Sequence, residues 1–174
     1  AYLYISTNNI EVLEEDKSYD RMYSLTKRID LSPEDGYNDF KKSSQSLKGS
    51  EIKKMSKLTE RLMQSINYDE VARIRRENFQ ILNTFLSSSN LLDIHLLKDE
   101  VPMVYPYLIR NGNLLRNYLI KNRIFVAKYW PGIEQLVDKE TTEYKFVNNL
   151  LPLPIDQRYG GDDMNRIIKT ILGY

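Results

Sequence analysis

The chain has 174 residues, 41% hydrophobic and 28% charged, and its 25 basic and 24 acidic side chains leave a net charge of +1. That is enough apolar material for one core-bearing domain, or for a domain plus an appendage, and the near-neutral charge makes no demand for a polyanionic partner. The absence of cysteine and the single histidine exclude disulfides, thiol catalysis, and thiolate or histidine-cluster metal sites.

Residues 1–6 alternate Tyr2 and Tyr4 against Leu3 and Ile5, which predicts a short strand ended by a turn at Thr7, Asn8 and Asn9. Residues 10–29 are charged and loosely periodic, a helical segment expected to stop near Arg28 or Ile29. Ser-Pro-Glu-Asp-Gly at 32–36 marks a loop. The stretch through Ser50, rich in Lys, Ser and Asp, reads as a linker or mobile crossover.

From Ser50 the periodicity sharpens. Ser50 is expected to cap a helix carrying Ile52, Met55, Leu58, Leu62 and Ile66 on one face, with Lys53, Lys54, Lys57 and Arg61 largely away from it. Residues 67–70 resemble a capping box that opens a second helix with Val71, Ile74, Leu82 and Phe85 inward, ended by residues 87–90. On that helix Arg73, Arg75 and Arg76 form a basic run, either an anion contact or a solvated face balanced by Asp69, Glu70 and Glu77. His95, amid Leu91, Leu92, Ile94, Leu96 and Leu97, reads as packed or half-buried. No apolar run approaches the roughly 18 residues of a membrane helix, and no signal-peptide pattern is present, so a soluble cytoplasmic protein without a membrane partner is expected.

Residues 101–131 carry the most information. A β-branched and aromatic run (101–109) leads through Asn111-Gly112-Asn113 into a helix with Leu115, Tyr118 and Leu119 on one stripe. Asn111 or Asn113 is expected to cap that helix, and Asn122 to end it in the left-handed conformation. A second β-rich run (124–127) follows, ending in Lys128, Tyr129, Trp130 and Pro131. The tail supplies Leu-Pro-Leu-Pro-Ile at 151–155 and then Asp156, Gln157, Arg158 and Tyr159. A last helix starts at Gly161, with Asp162 and Asp163 complementing its dipole and Met164, Ile167, Ile168 and Ile171 as its core stripe. The pattern predicts an α+β fold, a small antiparallel or mixed sheet with helices packed on it.

The order apolar strand, turn, helix, Ile, strand, aromatic pair, Pro, then Leu-Pro-Leu-Pro-Ile and a terminal amphipathic helix resembles the C-terminal small domain of the DegT/DnrJ/EryC1/StrS sugar aminotransferases. These are fold type I enzymes that use pyridoxal phosphate. The resemblance covers roughly residues 68–172 and rests on the order of several short motifs. Residues 1–6 also resemble the strand that follows the cofactor lysine in that family. The resemblance implies residues 1–49 as a strand, helix and linker remnant of an upstream large domain, and 50–174 as the small domain. It implies a wall of an active site for a nucleotide-linked keto-sugar, a homodimeric parent, and pyridoxal phosphate in that parent but none in this fragment, since the Schiff-base lysine belongs to the large domain.

Candidate substrate contacts under this resemblance are Lys128, Tyr129, Trp130, Arg158 and Tyr159. Tyr129 stands where the family carries a His and Trp130 where it carries a Tyr, which removes a group titrating near neutrality but keeps a hydroxyl and a stacking face. The other reading of that pair is core or interface aromatics. Arg158, after two backbone-fixing prolines, is suited to a carboxylate or phosphate on the substrate or to the dimer partner, with a surface salt bridge as the other reading. A reading of a different class is a non-enzymatic interaction or nucleic-acid-binding domain, which requires Tyr105, Tyr107 and Tyr129 exposed on one sheet face.

Overall fold

The computed structural model describes residues 13–32 and 34–174. The expected strand at 1–6 and its turn lie outside the described residues. The chain divides into two compact units, Ala1–Ile66 and Asn67–Tyr174. The cause is local: an isolated parallel bridge joins Glu15 to Lys54, and the Ser18 hydroxyl meets that of Ser56 at 2.5 Å. Residues 50–66 are thereby tied to what precedes them.

In the first unit a 3₁₀ turn (Tyr19–Met22) runs into α1 (Tyr23–Asp30), so of the helix expected over 10–29 the second half forms, and residues 13–18 are not helical. The expected linker instead contains α2 (Tyr37–Ser46). Its polar sequence is anchored to α1 by a Lys27–Asp39 ion pair at 3.1 Å and by the Arg28 guanidinium 5.3 Å from the Phe40 ring centre. Next comes α3 (Lys57–Gln64). Its cap is Ser56, not Ser50: Ser56 is extended, with φ −68° and ψ 149°, and its hydroxyl accepts the Thr59 N–H at 3.2 Å. Ile52 and Met55 precede the helix and are exposed.

The second unit is α+β. Asn67 caps α4 (Tyr68–Leu86), its side chain accepting the Glu70 N–H at 3.1 Å. The Glu70 carboxylate turns to Arg73 instead of closing the capping box. The inward face of α4 holds Asn78, Phe79, Leu82 and Leu86, while Phe85 is 52% exposed. A 3₁₀ turn (Ser87–Ser89) ends it. Strand β1 (Val104–Leu108), helix α5 (Gly112–Lys121), a 3₁₀ turn (Ile133–Gln135), helix α6 (Thr142–Asn149), strand β2 (Leu150–Pro154) and helix α7 (Gly161–Leu172) follow.

The sheet is β1 paired antiparallel with β2, Tyr105 opposite Leu153 and Tyr107 opposite Leu151. Residues 124–127 keep the alternation of a strand, with Ile124 and Val126 buried and Phe125 exposed, but they join no ladder. Proline explains why. Pro106 faces Pro152, and neither has an N–H, so that pair cannot exchange ladder bonds and its backbone turns outward. The outer edge of β2 therefore presents Pro152 and Pro154, without donors for a third strand. The outer edge of β1 is taken by Asn90, whose amide donates to the Pro106 carbonyl at 2.9 Å and accepts the Leu108 N–H at 2.9 Å.

Helix α5 begins at a left-handed Asn111 with φ 61°. Neither Asn111 nor Asn113 caps it. The side chain of Asn149, at the end of α6, accepts the Gly112 N–H at 3.2 Å, and a β-carbon on Gly112 would run into the Asn149 backbone carbonyl. At the other end Arg123, with φ 60°, takes the left-handed position expected of Asn122. The stripes of α5 and α7 are as expected: Leu115, Leu119, Met164, Ile167, Ile168 and Ile171 are buried with Tyr105, Tyr107, Leu151, Leu153 and Ile155.

Candidate functional site

Two segments hold the candidate residues, and among the described residues no hydrogen bond, ion pair or ring contact joins them. The first leaves the buried Ile124/Val126 stretch at Lys128. The Lys128 amine donates to Glu134 Oε1 at 2.7 Å, while Glu134 Oε2 accepts the Gly132 N–H at 3.1 Å. Glu134 thus holds Lys128 and the left-handed Gly132 turn (φ 98°) together. The ammonium beside it keeps the Glu134 carboxyl below the usual carboxylate range.

Trp130 has φ 50° and is 61% exposed. A positive φ is unfavourable for a bulky side chain, and an indole left in water forgoes most of its burial free energy. Its ring meets Tyr129 edge-on, centres 5.6 Å apart at 66°. Trp130, Ile133, Phe146, Val147 and Leu150, with Glu143, line a cavity of about 420 Å³. Tyr129 and Trp130 are not core aromatics: Tyr129 is half-buried and Trp130 stands at the cavity wall.

The second segment is the turn after β2. Arg158 grips Asp156 with two bonds, Nε to Oδ1 at 2.7 Å and Nη2 to Oδ2 at 3.0 Å, and its guanidinium lies 5.5 Å from the Tyr159 ring centre. The hydrogen bonds from Arg158 hold the Asp156 carboxyl below its ordinary value. Arg158 therefore makes a surface salt bridge while its side chain stays 73% exposed.

Other expectations are corrected. His95 is exposed, facing Asp93 at 3.1 Å. Residues 91–97 alternate, with Leu92, Ile94 and Leu96 half-buried, and His95 falls on the outward parity. The basic run of α4 is spent on structure. Arg73 bridges Glu70 and Glu77 at 2.6 Å each, Arg75 Nη1 donates to the Pro102 and Met103 carbonyls at 3.2 and 3.3 Å, and Arg76 donates to the Glu100 carbonyl at 2.9 Å. Tyr105 and Tyr107 are 0% and 3% exposed, so the stacking platform that a nucleic-acid reading requires does not exist.

Two contributors escaped the sequence reading. Glu134 has no short-range signature. Asn78 has one: it fills the position between Ile74 and Leu82 on the inward ladder of α4, where a polar residue needs a buried partner.

A pyridoxal phosphate site requires a lysine amine, a carboxylate for the pyridine nitrogen and donors for the phosphate. Neither this cavity nor a second one of about 450 Å³ beside His95 is lined by a lysine or an arginine, and Lys128 is engaged by Glu134. The described residues do not fit the whole cofactor. No protein-family model, curated protein or solved structure matches this chain.

Proposed function

We propose that Asn67–Tyr174 is the small domain of a pyridoxal phosphate-dependent enzyme that moves an amino group from an amino-acid donor to a nucleotide-linked keto-sugar. In this reading an upstream large domain carries the cofactor, two copies associate, and the unit closes one wall of the active site. The observation that carries the reading is the exit segment at 128–131. It presents an exposed Trp130, strained in its backbone, beside Tyr129 and an apolar cavity, in the position where the resemblance expects substrate contacts. Strain of this kind persists where the surrounding structure enforces it, and it concentrates at binding sites. The order of α4, β1, α5, the aromatic-Pro exit, β2 and α7 supports the same reading.

Chemically, the exit segment offers an indole face and the Tyr129 hydroxyl, and the separate turn after β2 offers the Arg158 guanidinium. These fit stacking on a sugar or base ring and pairing with a phosphate or carboxylate. None of them is a base suited to proton transfer near neutrality, so the wall binds and orients while the chemistry belongs to the cofactor-bearing part. The test is made on the product of the complete reading frame. Addition of a nucleotide-linked amino-sugar should change the cofactor absorbance, and Trp130→Ala should raise KM about tenfold, a loss of about 1.4 kcal/mol in binding, with little change in kcat. A product that takes up no pyridoxal phosphate, or an unchanged KM for Trp130→Ala, overturns the reading.

A further inference from the structure

Asn78 is 2% exposed, in the middle of α4 and on its core face. Its side-chain amide donates to the Tyr159 carbonyl at 2.9 Å and the Ile155 carbonyl at 3.2 Å, with the Asp156 carbonyl at 3.5 Å. One amide group therefore gathers the backbone of the whole turn that displays Arg158. One helical turn earlier Arg75 Nε reaches Gln157 Oε1 at 3.2 Å, so the turn is held from beneath and from one side. A buried amide is costly unless satisfied, and a Leu of the same branching would suit an apolar core at this position without leaving polar atoms to satisfy. The distinctive consequence of having Asn there is the conformation of residues 155–159.

We propose that Asn78 is a positioning residue for Arg158. Through three backbone carbonyls it fixes the turn on which Asp156 and Tyr159 aim the guanidinium, so that Arg158 meets an oxyanion of the ligand, phosphate or carboxylate, without reordering. The proposal rests on the reading of Arg158 as a ligand contact, and the geometric part is separable from it. Preorganisation of this kind lowers the ordering cost of each contact made on binding.

The test uses the 174-residue chain and the side-chain Nε–Hε signal of Arg158 in ¹H–¹⁵N spectra, with inorganic diphosphate and succinate as the two anion probes. In the wild type that signal should be resolved and protected, and one of the two probes should move it. Asn78→Leu should collapse it toward the position of a free arginine and weaken binding of that probe about tenfold, to the level of Arg158→Gln. A folded Asn78→Leu protein with an unchanged Arg158 signal overturns the proposal. If Asn78→Leu does not fold, the wild-type Asn78 amide protons decide: slow exchange with solvent and a shift when the anion binds support it, and fast exchange sinks it. Equal binding by wild type and Arg158→Gln, or no binding of either probe, refutes Arg158 as an anion contact. The free-protein spectra still judge Asn78.

Discussion

The two units draw on similar apolar side chains and use them in opposite ways. In Asn67–Tyr174, Leu82, Tyr105, Leu119, Leu151, Leu153 and Met164 are fully shielded around a two-stranded sheet. Among the described residues of Ala1–Ile66 the buried side chains are Ser18, Ser24 and Ser56, whereas Tyr19, Ile29, Leu31, Ile52 and Leu62 are exposed. Helix α3 shows that amphipathic patterning is not the cause of the difference. Its Leu58 and Leu62, with Ile66 just past its end, are spaced four residues apart, yet all three are exposed. Periodicity makes a helix; burial requires a complementary surface, and in the second unit β1 and β2 supply it.

The largest expected effect separates the units outright. Residues 67–174 alone should unfold cooperatively in urea, whereas residues 1–66 alone should show no cooperative transition by circular dichroism. In the whole chain Leu153→Ala should cost about 2–5 kcal/mol. Leu62→Ala, at an exposed position, should stay within about 0.5 kcal/mol. A cooperative transition in residues 1–66, or equal costs for the two leucines, would break the comparison.

A backbone test comes next. Gly112 sits where a side chain would strike the Asn149 carbonyl, while Gly49, with φ 73°, has open space around it. Gly112→Ala should destabilise the second unit by about 1–3 kcal/mol through forced displacement of the α6 end. Gly49→Ala should leave that unit's melting transition unchanged. A Gly112→Ala protein as stable as wild type would show that α5 and α6 are not clamped together.

Residues that speak through local rules were legible in the sequence. Asn67 as a cap and the stripes of α5 and α7 follow from spacing and propensity, and the extended runs read at 101–109 and 151–155 overlap the strands found at 104–108 and 150–154. What was not legible depends on pairing between distant segments. Residues 124–127 look like a strand, but the prolines of β2 and the Asn90 side chain close both sheet edges to them. Helix α2 is anchored by partners on α1 that its own composition does not announce. At the candidate site, exposed Trp130 and the Asp156–Arg158 pair were within reach of sequence reasoning. Glu134 was not, because it acts through a turn whose shape only the folded chain defines; the place of Asn78 between Ile74 and Leu82 marked it as a buried polar residue, but its partners at 155–159 are set only by the fold.

Caps give a finer contrast. Asn67→Ala should lower the stability of the cooperative transition by about 1 kcal/mol, since α4 belongs to the core of the second unit. Ser56→Ala removes an equivalent cap and also the hydroxyl contacts of Ser56 with Ser18 and Thr59. It should reduce far-ultraviolet helical signal without moving that transition. A shift of the transition by Ser56→Ala would mean that the first unit shares the second unit's cooperativity.

The smallest effect is electrostatic and lies at the exit segment. The Glu134 carboxyl is held below its usual value by the bond from Lys128, so its folded pKa is depressed relative to the unfolded chain. Its contribution is therefore complete above the unfolded carboxylate pKa and is lost as pH falls through the folded one. Both partners are half-buried but still reached by solvent, with side chains 30% and 27% exposed, so the effect should be modest and sensitive to salt. Wild type should exceed Glu134→Gln in stability near neutral pH, and the gap should close in acid. Trp130 gives the local readout, because it is the chain's one tryptophan and precedes the turn that Glu134 holds. Its fluorescence should titrate with Glu134 in the wild type and lose that step in Glu134→Gln. A step that persists in the variant would assign the titration to another carboxylate and detach Lys128 and Glu134 from the presentation of Trp130.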